Sequence, residues 1–337
     1  MGGLGAMDAA GAATPAAVED LPADVLALVL RRLDGASLAA VGCACSALRD
    51  LAADPGTWRG LCLAMWPSLR DVPCFSRASA GGGHYYRALF ADAFPFPDTT
   101  PSIPPPAVPG SAGSRPRSPL PARLVSAVDL HHGGACIMSR VVETDAASGW
   151  FLGAPFRVDA LVQEGFTAPL SPATTIAPGD LALSWILIDP ATGRALNASS
   201  RRPVSVDRKW LTGDTVARFA IVLPGADAGG SDVALEAAVT CDERRGHVRE
   251  VSLCAEGGDG GGVSGRDALA AVAAAMAGAR RGGRGAEGAA RQRYEEFVRG
   301  ERARKERKAR REGIVDLCCS GVGAAAFLGF LVMLTLR

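Results

Sequence analysis

A proline-rich stretch sets the strongest limit on how this chain can fold. It covers residues 95–121, with the sequence PFPDTTPSIPPPAVPGSAGSRPRSPLP. Proline has a fixed φ and no backbone N–H, so prolines at this density exclude helix interiors and central strands and favour an extended polyproline II conformation. We therefore predict a semi-rigid spacer between two folded parts. A ligand for a proline-binding domain is the alternative interpretation.

Composition and charge argue against several classes of function. The 41 glycines and 22 prolines among 337 residues indicate that a substantial part of the chain is linker. The formal net charge of +1 gives no general attraction to nucleic acid, and we expect no nucleic-acid partner. The nine cysteines form no CxxC pair, so we expect no metal site, no disulfide framework and no cofactor. Residues 1–18, rich in alanine and glycine, are predicted to be disordered.

Short helices are predicted in the region that follows. Pro22 suits the first position of a helix, and apolar residues then recur at helical spacing. Ser37, Ser46 and Thr57 could each cap a further helix. A unit of about 45 residues is small for a core of its own, so we expect it either to pack on the rest of the chain or to present an apolar face to another protein. We assign residues 19–94 to this helical domain and a flanking helix.

The order and spacing of the apolar residues resemble the F-box motif. The resemblance rests on Leu21-Pro22, Asp24-Val25-Leu26, Val29-Leu30, Leu33, Leu38, Val41, Cys45, Leu48 and Trp58. It implies a surface that binds the adaptor Skp1 and so joins the protein to a cullin-containing ubiquitin ligase. The Skp1-binding residues that the resemblance implies are Leu21, Pro22, Val25, Leu26, Val29, Leu30, Leu33, Leu38, Val41, Leu48 and Trp58. The run Gly42–Ala47 departs from the motif, because many members carry bulkier residues there.

Beyond the spacer the sequence changes to alternation of apolar and polar residues. Residues 156–163 alternate almost strictly, and residues 181–188, LALSWILI, are apolar on both faces, as in a central buried strand. Further strands are predicted at 124–130, 135–144, 204–207, 216–223, 233–241 and 247–254. Short strands with turn signals and no helical pattern between them predict an antiparallel β-sandwich-like domain over residues 122–255.

We find no catalytic signature in this β-rich region and expect no catalytic residues. The adjacent His131 and His132 would point to opposite faces of a strand, which is poor geometry for one metal ion. Nucleophile and phosphate-loop motifs are also missing from the sequence. Tryptophan and arginine are common at binding hot spots, and the candidates for client binding are Trp185, Arg201, Arg202, Arg208 and Trp210. The alternative is that the tryptophans are buried in the core and the basic residues are solvated.

Several segments of the β-rich region resemble a group of plant F-box proteins. These segments are SAVDL, SGWFLGAPFRVD, LSWILIDP, LNASSRRPVSVDRKWLTGD and HVREVSLC. The resemblance implies an F-box followed by a β-rich domain with an undefined ligand. A more distant resemblance to F-box proteins with a phloem-lectin sandwich implies carbohydrate binding as an alternative.

The C-terminal region is predicted to end in a membrane anchor. Residues 256–290 form a Gly/Ala-rich linker with a short helix, and residues 291–313 form a basic helix. Residues 314–336 contain about twenty residues without charge, which is long enough for a transmembrane helix. We therefore expect a single-pass, tail-anchored membrane protein whose N-terminal domains lie in the cytosol. Cys318 and Cys319 are candidates for palmitoylation, with apolar filling as the alternative.

Together these observations predict an α+β multidomain chain. Its parts would be a small helical F-box domain, an antiparallel β-sandwich-like domain and a C-terminal single transmembrane helix. The predicted function is a non-catalytic substrate-recognition adaptor of an SCF-type (Skp1–cullin–F-box) ubiquitin ligase, tethered to a membrane. Its partners would be a Skp1-like adaptor with its cullin complex, an unknown client protein and the membrane. The alternatives are an F-box scaffold that acts without ubiquitination, a lectin-like binding protein, or an enzyme hidden in the β domain.

Overall fold

The computed structural model divides into two compact units, which are described separately here. The first unit extends to Leu61 and the second begins at Cys62. The structure describes residues 21–73, 83–94, 119–162, 176–225, 231–242, 247–258, 260–278 and 286–336. The predicted disordered N-terminus and almost all of the predicted proline-rich spacer lie outside these residues.

Short helices build the N-terminal unit. They are α1 (Ala23–Leu30), α2 (Gly35–Val41), α3 (Ser46–Ala52) and α4 (Pro55–Met65), and α4 continues across the boundary between the units. Helices α1 and α2 both pack on α3. The buried side chains of this unit are Leu26, Leu30, Leu38, Ala52 and Trp58. The predicted small helical domain is therefore present.

Aspartates cap two of these helices, where the sequence analysis expected Ser37 and Thr57. Asp34 accepts a hydrogen bond from the backbone N–H of Ser37 at 2.9 Å, and Asp54 accepts one from the N–H of Thr57 at 3.0 Å. The hydroxyls of Ser37 and Thr57 donate to the same carboxylates. A carboxylate at a helix start also complements the positive end of the helix dipole. Each cap is therefore a shared Asp–hydroxyl arrangement rather than a lone hydroxyl.

Two antiparallel sheets form most of the second unit. Their strands are β1 (Arg123–His132), β2 (Ala135–Asp145), β3 (Arg157–Val162), β4 (Leu181–Ile188), β5 (Ala195–Asn197), β6 (Ser205–Arg208), β7 (Asp214–Leu223), β8 (Val233–Asp242) and β9 (His247–Gly257). Among the described residues, the first sheet has the order β2-β1-β4-β5 and the second has the order β3-β9-β8-β7-β6. The predicted antiparallel strands are seen. Strand β5 was not predicted, because it is only 3 residues long.

The two sheets pack face to face across one hydrophobic core. Leu124 and Leu130 of β1 point into this core with Trp185 of β4, and Phe219 and Leu235 enter it from the second sheet. Alternate residues of a strand point to opposite faces, so one face of each sheet lines the core. This arrangement is a β-sandwich.

A helix from the predicted Gly/Ala-rich linker completes the core. This helix is α7 (Gly265–Ala277), and the second unit also contains the shorter helix α6 (Gly149–Gly153). Ser264 caps α7, because its hydroxyl accepts a hydrogen bond from the N–H of Asp267 at 3.2 Å. The buried residues of α7 in the sandwich core are Ala268, Leu269, Ala271, Val272 and Met276. Small alanine side chains let the helix approach the strands closely, and this part of the predicted linker therefore belongs to the folded sandwich.

Helical segments cover the outer face of the first sheet. A 3₁₀ turn, Pro67–Arg70, contacts β1 and β2, and helix α5 (Gly83–Ala93) contacts β5. Gly193 has a φ of +69°, and a Cβ at this position would lie 2.9 Å from the ring of Tyr85 on α5. A residue with a side chain would therefore push α5 away from the sheet.

Buried carboxylates attach these segments to the sheet. Asp129 of β1 is completely buried and accepts hydrogen bonds from the N–H and the hydroxyl of Ser68 at 2.9 and 2.6 Å, and from the hydroxyl of Ser139 at 2.8 Å. Burial raises the pKa of Asp129, although its hydrogen bonds act in the opposite direction. On α5, Asp92 accepts a hydrogen bond from the Arg194 guanidinium at 3.0 Å.

The N-terminal part of the long helix α8 (Ala286–Thr335) lies against the second sheet. Phe297 is buried with Val222 and Ala234, and the Tyr294 hydroxyl donates a hydrogen bond to Glu236 at 2.8 Å. Burial is the main reason why the pKa of Tyr294 is raised. The basic run that follows, residues 302–311, is exposed to solvent. The predicted basic helix is thus the middle of α8.

The structure overturns the predicted membrane anchor. No helix in the described part of the chain has an apolar stretch of the length that a bilayer crossing needs. The side chains of residues 312–326, including Cys318 and Cys319, lie outside the described set. The structure therefore does not support the predicted transmembrane helix, tail-anchored localisation or membrane partner.

The contacts of Asp129 predict an asymmetric response to substitution. Asp129→Ala should lower the free energy of unfolding by about 2–4 kcal/mol, because the two buried donors of Ser68 lose their acceptor and the hydroxyl of the exposed Ser139 loses a hydrogen bond. Asp129→Asn keeps the shape and one acceptor oxygen and should lose less than half as much. Urea unfolding of the purified chain measures both values. Equal losses in the two variants would contradict the proposed hydrogen-bonding role.

Candidate docking surfaces

An apolar stripe on α1 faces away from the core of the N-terminal unit. Residues spaced by three, four and seven positions lie on one side of a helix, so the stripe forms a single face. Its members and their exposed fractions are Val25 (40%), Leu28 (61%) and Val29 (51%), and Leu21 (44%), two residues before the helix begins, adds to the exposed apolar surface. The opposite side of α1 carries Leu26 and Leu30, which are buried. Helix α1 is therefore apolar on two faces, only one of which is used by its own unit.

The residues predicted to bind the adaptor divide by exposure. Those that are exposed are Leu21, Pro22, Val25 and Val29. Those that are half-buried are Leu33, Val41 and Leu48, and those that are buried are Leu26, Leu30, Leu38 and Trp58. The exposed group can touch a partner directly. The buried group forms the core that holds the exposed group in place.

The sequence analysis missed Leu28, the most exposed member of the stripe. It lies seven residues after Leu21 and three residues after Val25, so its spacing already placed it on the same helical face. The prediction concentrated on the pairs of apolar residues on either side of it. A helical projection of α1 would have separated its two faces and included Leu28.

Electrostatic contacts hold α1 in its place within the unit. The guanidinium of Arg31, just after α1, lies 3.9 Å from the carboxylate of Asp54, which caps α4. The hydroxyl of Thr57 donates to Asp54 and is the main reason why the pKa of this carboxyl group is lowered. The backbone N–H of Ser37 has the same effect on the pKa of Asp34. Both caps are therefore ionised at neutral pH.

A second exposed surface lies at the hairpin between β6 and β7. We define the hairpin tip as Lys209–Gly213. The backbone N–H of Lys209 donates to the carbonyl of Asp214 at 2.7 Å, and the N–H of Gly213 donates to the carbonyl of Lys209 at 2.8 Å. Gly213 adopts a φ of +75°, which a side chain would disfavour. The turn is thus well defined, yet Trp210 and Leu211 on it are 86% and 76% exposed.

The segment that leads into β6 is tied to both sheets by buried serines. The hydroxyl of Ser199 donates to the carbonyl of Leu183 in β4 at 2.7 Å. The hydroxyl of Ser200 accepts from the N–H of Ala220 in β7 at 3.2 Å. The next residue, Arg201, is held at a φ of +60°, a conformation rare for residues with a side chain. This crossover places Arg201 and its neighbour at the surface.

The five predicted client-binding residues have different environments. Trp185 is completely buried in the sandwich core and cannot touch a client on the surface. The exposed members are Arg201, Arg202, Arg208 and Trp210. Arg201 and Arg202 precede β6, whereas Arg208 ends it, so the strand carries basic residues at both ends. The exposed neighbour Leu211 was missed, although it follows Trp210 directly in the sequence.

Clustered metal ligands or ionised cysteine thiols would indicate metal or nucleophile chemistry in this chain. Among the described residues, no group of three or more His, Cys, Asp or Glu side chains could hold a metal ion. The thiols of Cys62 and Cys241 are buried, and burial raises the pKa of each to about 12, so both stay protonated at neutral pH.

Comparison with known proteins identifies the family. A family model described as F-box-like matches residues 18–64, which include helices α1 to α3 and most of α4. F-box protein At2g27310 of Arabidopsis thaliana is 37% identical over 246 residues, which cover 68% of this chain and 69% of that relative. This chain belongs to the F-box proteins.

Other relatives of this F-box protein come from the same plant. Probable F-box protein At2g36090 and F-box protein At3g44326 of Arabidopsis thaliana are each 38% identical, over 235 and 252 residues. The matched residues cover 68% and 69% of this chain, and the chain spans 65% and 66% of the length of these two relatives. No solved structure matches. In each relative the match extends well beyond the length of the F-box itself.

The cap at Asp54 predicts a pH-dependent contribution to stability. Asp54→Ala should lower the free energy of unfolding by about 1 kcal/mol at neutral pH, and Asp54→Asn, also a good cap, should lower it much less. Because the pKa of Asp54 is lowered in the folded protein, its contribution is fully present above the pKa of the unfolded chain. It is lost as the pH falls through the folded value. Urea titrations at falling pH should show the gap between wild type and Asp54→Ala closing, whereas a constant gap would contradict this role.

Proposed function

We propose that this F-box protein is a substrate-recognition adaptor of an SCF-type ubiquitin ligase. The N-terminal unit would bind a Skp1-like adaptor, and the second unit would bind a client protein. The observation that carries this proposal is the apolar stripe on α1, which its own unit leaves exposed. The F-box-like match over residues 18–64 supports the same role.

The stripe has the character of a binding surface rather than of an ordinary solvated helix. A helix on the surface of a globular unit usually has one apolar face, toward its core, and a polar face toward solvent. In α1, Val25, Leu28 and Val29 are exposed while Leu26 and Leu30 are buried, and Leu21 just before the helix is also exposed. Full burial of a leucine or valine stabilises a complex by roughly 1.5–3 kcal/mol before other costs. Three such side chains on one helix, with Leu21 just before it, therefore favour association with a partner.

The proposed mechanism is proximity, without bond-making chemistry in this chain. A receptor that binds the ligase and a client at the same time raises the effective concentration of client lysines near the ubiquitin-charged enzyme. F-box proteins are generally non-catalytic adaptors of SCF complexes, and the protonated, buried thiols of this chain agree with such a role.

The proposed client surface is the strand β6 with the hairpin tip. The predicted residues Arg201, Arg202, Arg208 and Trp210 are exposed there, and Leu211 extends the apolar part. Exposed tryptophan and arginine are the residues most often found at interface hot spots. Trp185 would act only indirectly, as part of the core beneath the first sheet.

A matched pair of leucines tests the proposed adaptor surface. Leu28 and Leu211 are both well exposed, one on α1 and the other on the hairpin tip. Leu28→Asp should weaken binding of the full chain to a recombinant Skp1-like adaptor by about thirtyfold, the size of a central hot spot of 2 kcal/mol. Leu211→Asp should leave that affinity within about twofold. Isothermal titration calorimetry measures both.

The same pair has an internal control for folding. Because both side chains are exposed, neither substitution should shift the thermal midpoint by more than about 2 °C. Wild-type affinity in the Leu28→Asp variant, with the fold intact, would contradict the proposed surface. Equal weakening in both variants would contradict it as well.

A further inference from the structure

The open edge of the second sheet lies beside the hairpin tip. Strand β6 ends the order β3-β9-β8-β7-β6, and no strand in the described part of the chain pairs with its outer side. Val206 in the middle of β6 is 45% exposed. An unpaired strand edge presents backbone donors and acceptors that can pair with another extended chain.

The register shows which backbone groups face the open edge. The N–H of Lys209 donates to the carbonyl of Asp214, so this pair is hydrogen-bonded across the hairpin. In an antiparallel ladder the hydrogen-bonded pairs alternate with non-bonded ones. Asp207 and Val216 therefore form a hydrogen-bonded pair. Val206, the residue before Asp207, belongs to a non-bonded pair, so its N–H and carbonyl point away from β7 toward the open edge. Val206 can form two main-chain hydrogen bonds with an added strand.

The charge around this edge is positive. Lys209 is exposed and has no acidic partner among the described residues, and the Arg202 guanidinium donates to the neutral carbonyl of Asp180 at 3.3 Å. The carboxylate of Asp207 is paired with Arg218, a guanidinium that also pairs with Glu236 at 2.7 Å. An approaching segment with carboxylates would be attracted, and one with lysines would be repelled.

We propose that β6 and the hairpin tip bind an extended acidic segment of the client, which adds to the second sheet as a further strand. Main-chain hydrogen bonds to Val206 provide the register, Lys209 and Arg202 pair with carboxylates, and Trp210 with Leu211 covers an apolar residue of the segment. This inference rests on the proposed role of the hairpin as the client surface. It adds the chemical class and the conformation of the bound segment.

An extended peptide fits these observations better than a nucleic acid strand. Single-stranded nucleic acids are held by several aromatic side chains on which successive bases stack. The described surface here offers Trp210 alone beside the open edge, together with outward main-chain groups that a phosphate backbone would not match. A poly-uridine strand is therefore a useful competitor in the test.

Fluorescence anisotropy with three labelled synthetic peptides tests the inference on the full chain. The first alternates glutamate with valine, the second alternates lysine with valine, and the third is the acidic peptide with a central proline. The acidic peptide should bind at least about tenfold more tightly than either of the others. Poly-uridine should not displace it.

Matched variants connect the binding to the named residues. Trp210→Ser should weaken binding of the acidic peptide by about tenfold, whereas Trp150→Ser, at a tryptophan that is 81% exposed elsewhere on the sandwich, should change it less than about twofold. Val206→Pro removes the outward N–H, which an edge strand tolerates structurally, and should weaken binding to the same degree. Val206→Thr keeps that N–H and should bind like the wild type.

The outcomes separate this inference from the proposed function. All four variants should bind the Skp1-like adaptor with wild-type affinity, because their substitutions lie outside the stripe on α1. Equal binding of the acidic and basic peptides, displacement by poly-uridine, no binding of the acidic peptide, or equal effects of Trp210→Ser and Trp150→Ser would each overturn the edge-strand inference alone. Failure of Leu28→Asp to weaken adaptor binding would instead overturn the proposed function.

Discussion

A completely buried carboxylate, Asp129, holds the second unit together at the point where its helical segments meet the β-sandwich. It receives hydrogen bonds from Ser68 in the 3₁₀ turn and from Ser139 on the neighbouring strand. Loss of the Asp129 carboxylate or of its serine donors would leave buried polar groups without hydrogen-bond partners. Such a loss costs far more free energy than forming these bonds gains. Asp92 plays a similar part for α5 through its bond with Arg194. These polar anchors let the turn and α5 cover the outer face of the first sheet.

Apolar side chains that remain exposed define the two surfaces to which we assign functions. On α1, the core uses Leu26 and Leu30 and leaves Leu28 outward. On the hairpin tip, a well-defined turn presents Trp210 and Leu211 to solvent. In both places a rigid element displays the apolar groups, so little conformational entropy is lost when a partner covers them. The ligase and the client would therefore be bound by separate, preformed surfaces.

Much of the fold was predictable because its signals are local. Alternation located the long strands, and helical spacing located the short helices of the F-box. The helix α7 was placed in a linker because its buried face is mostly alanine, which has little hydrophobic contrast. Trp185 and Trp210 are the same residue type in opposite environments, because Trp185 lies in a strand that is apolar on both faces whereas Trp210 lies on an exposed turn. The predicted membrane anchor was wrong, because no helix of the described residues is long and apolar enough to cross a bilayer.

Amide hydrogen exchange of the full chain, with and without a Skp1-like adaptor, tests the central claim most directly. The claim is that α1 binds the ligase adaptor and that the β6–β7 hairpin binds the client instead. The account predicts slower exchange over α1 when the adaptor is bound, with unchanged exchange over β6 and the hairpin tip. Protection at the hairpin tip without protection of α1 would contradict it.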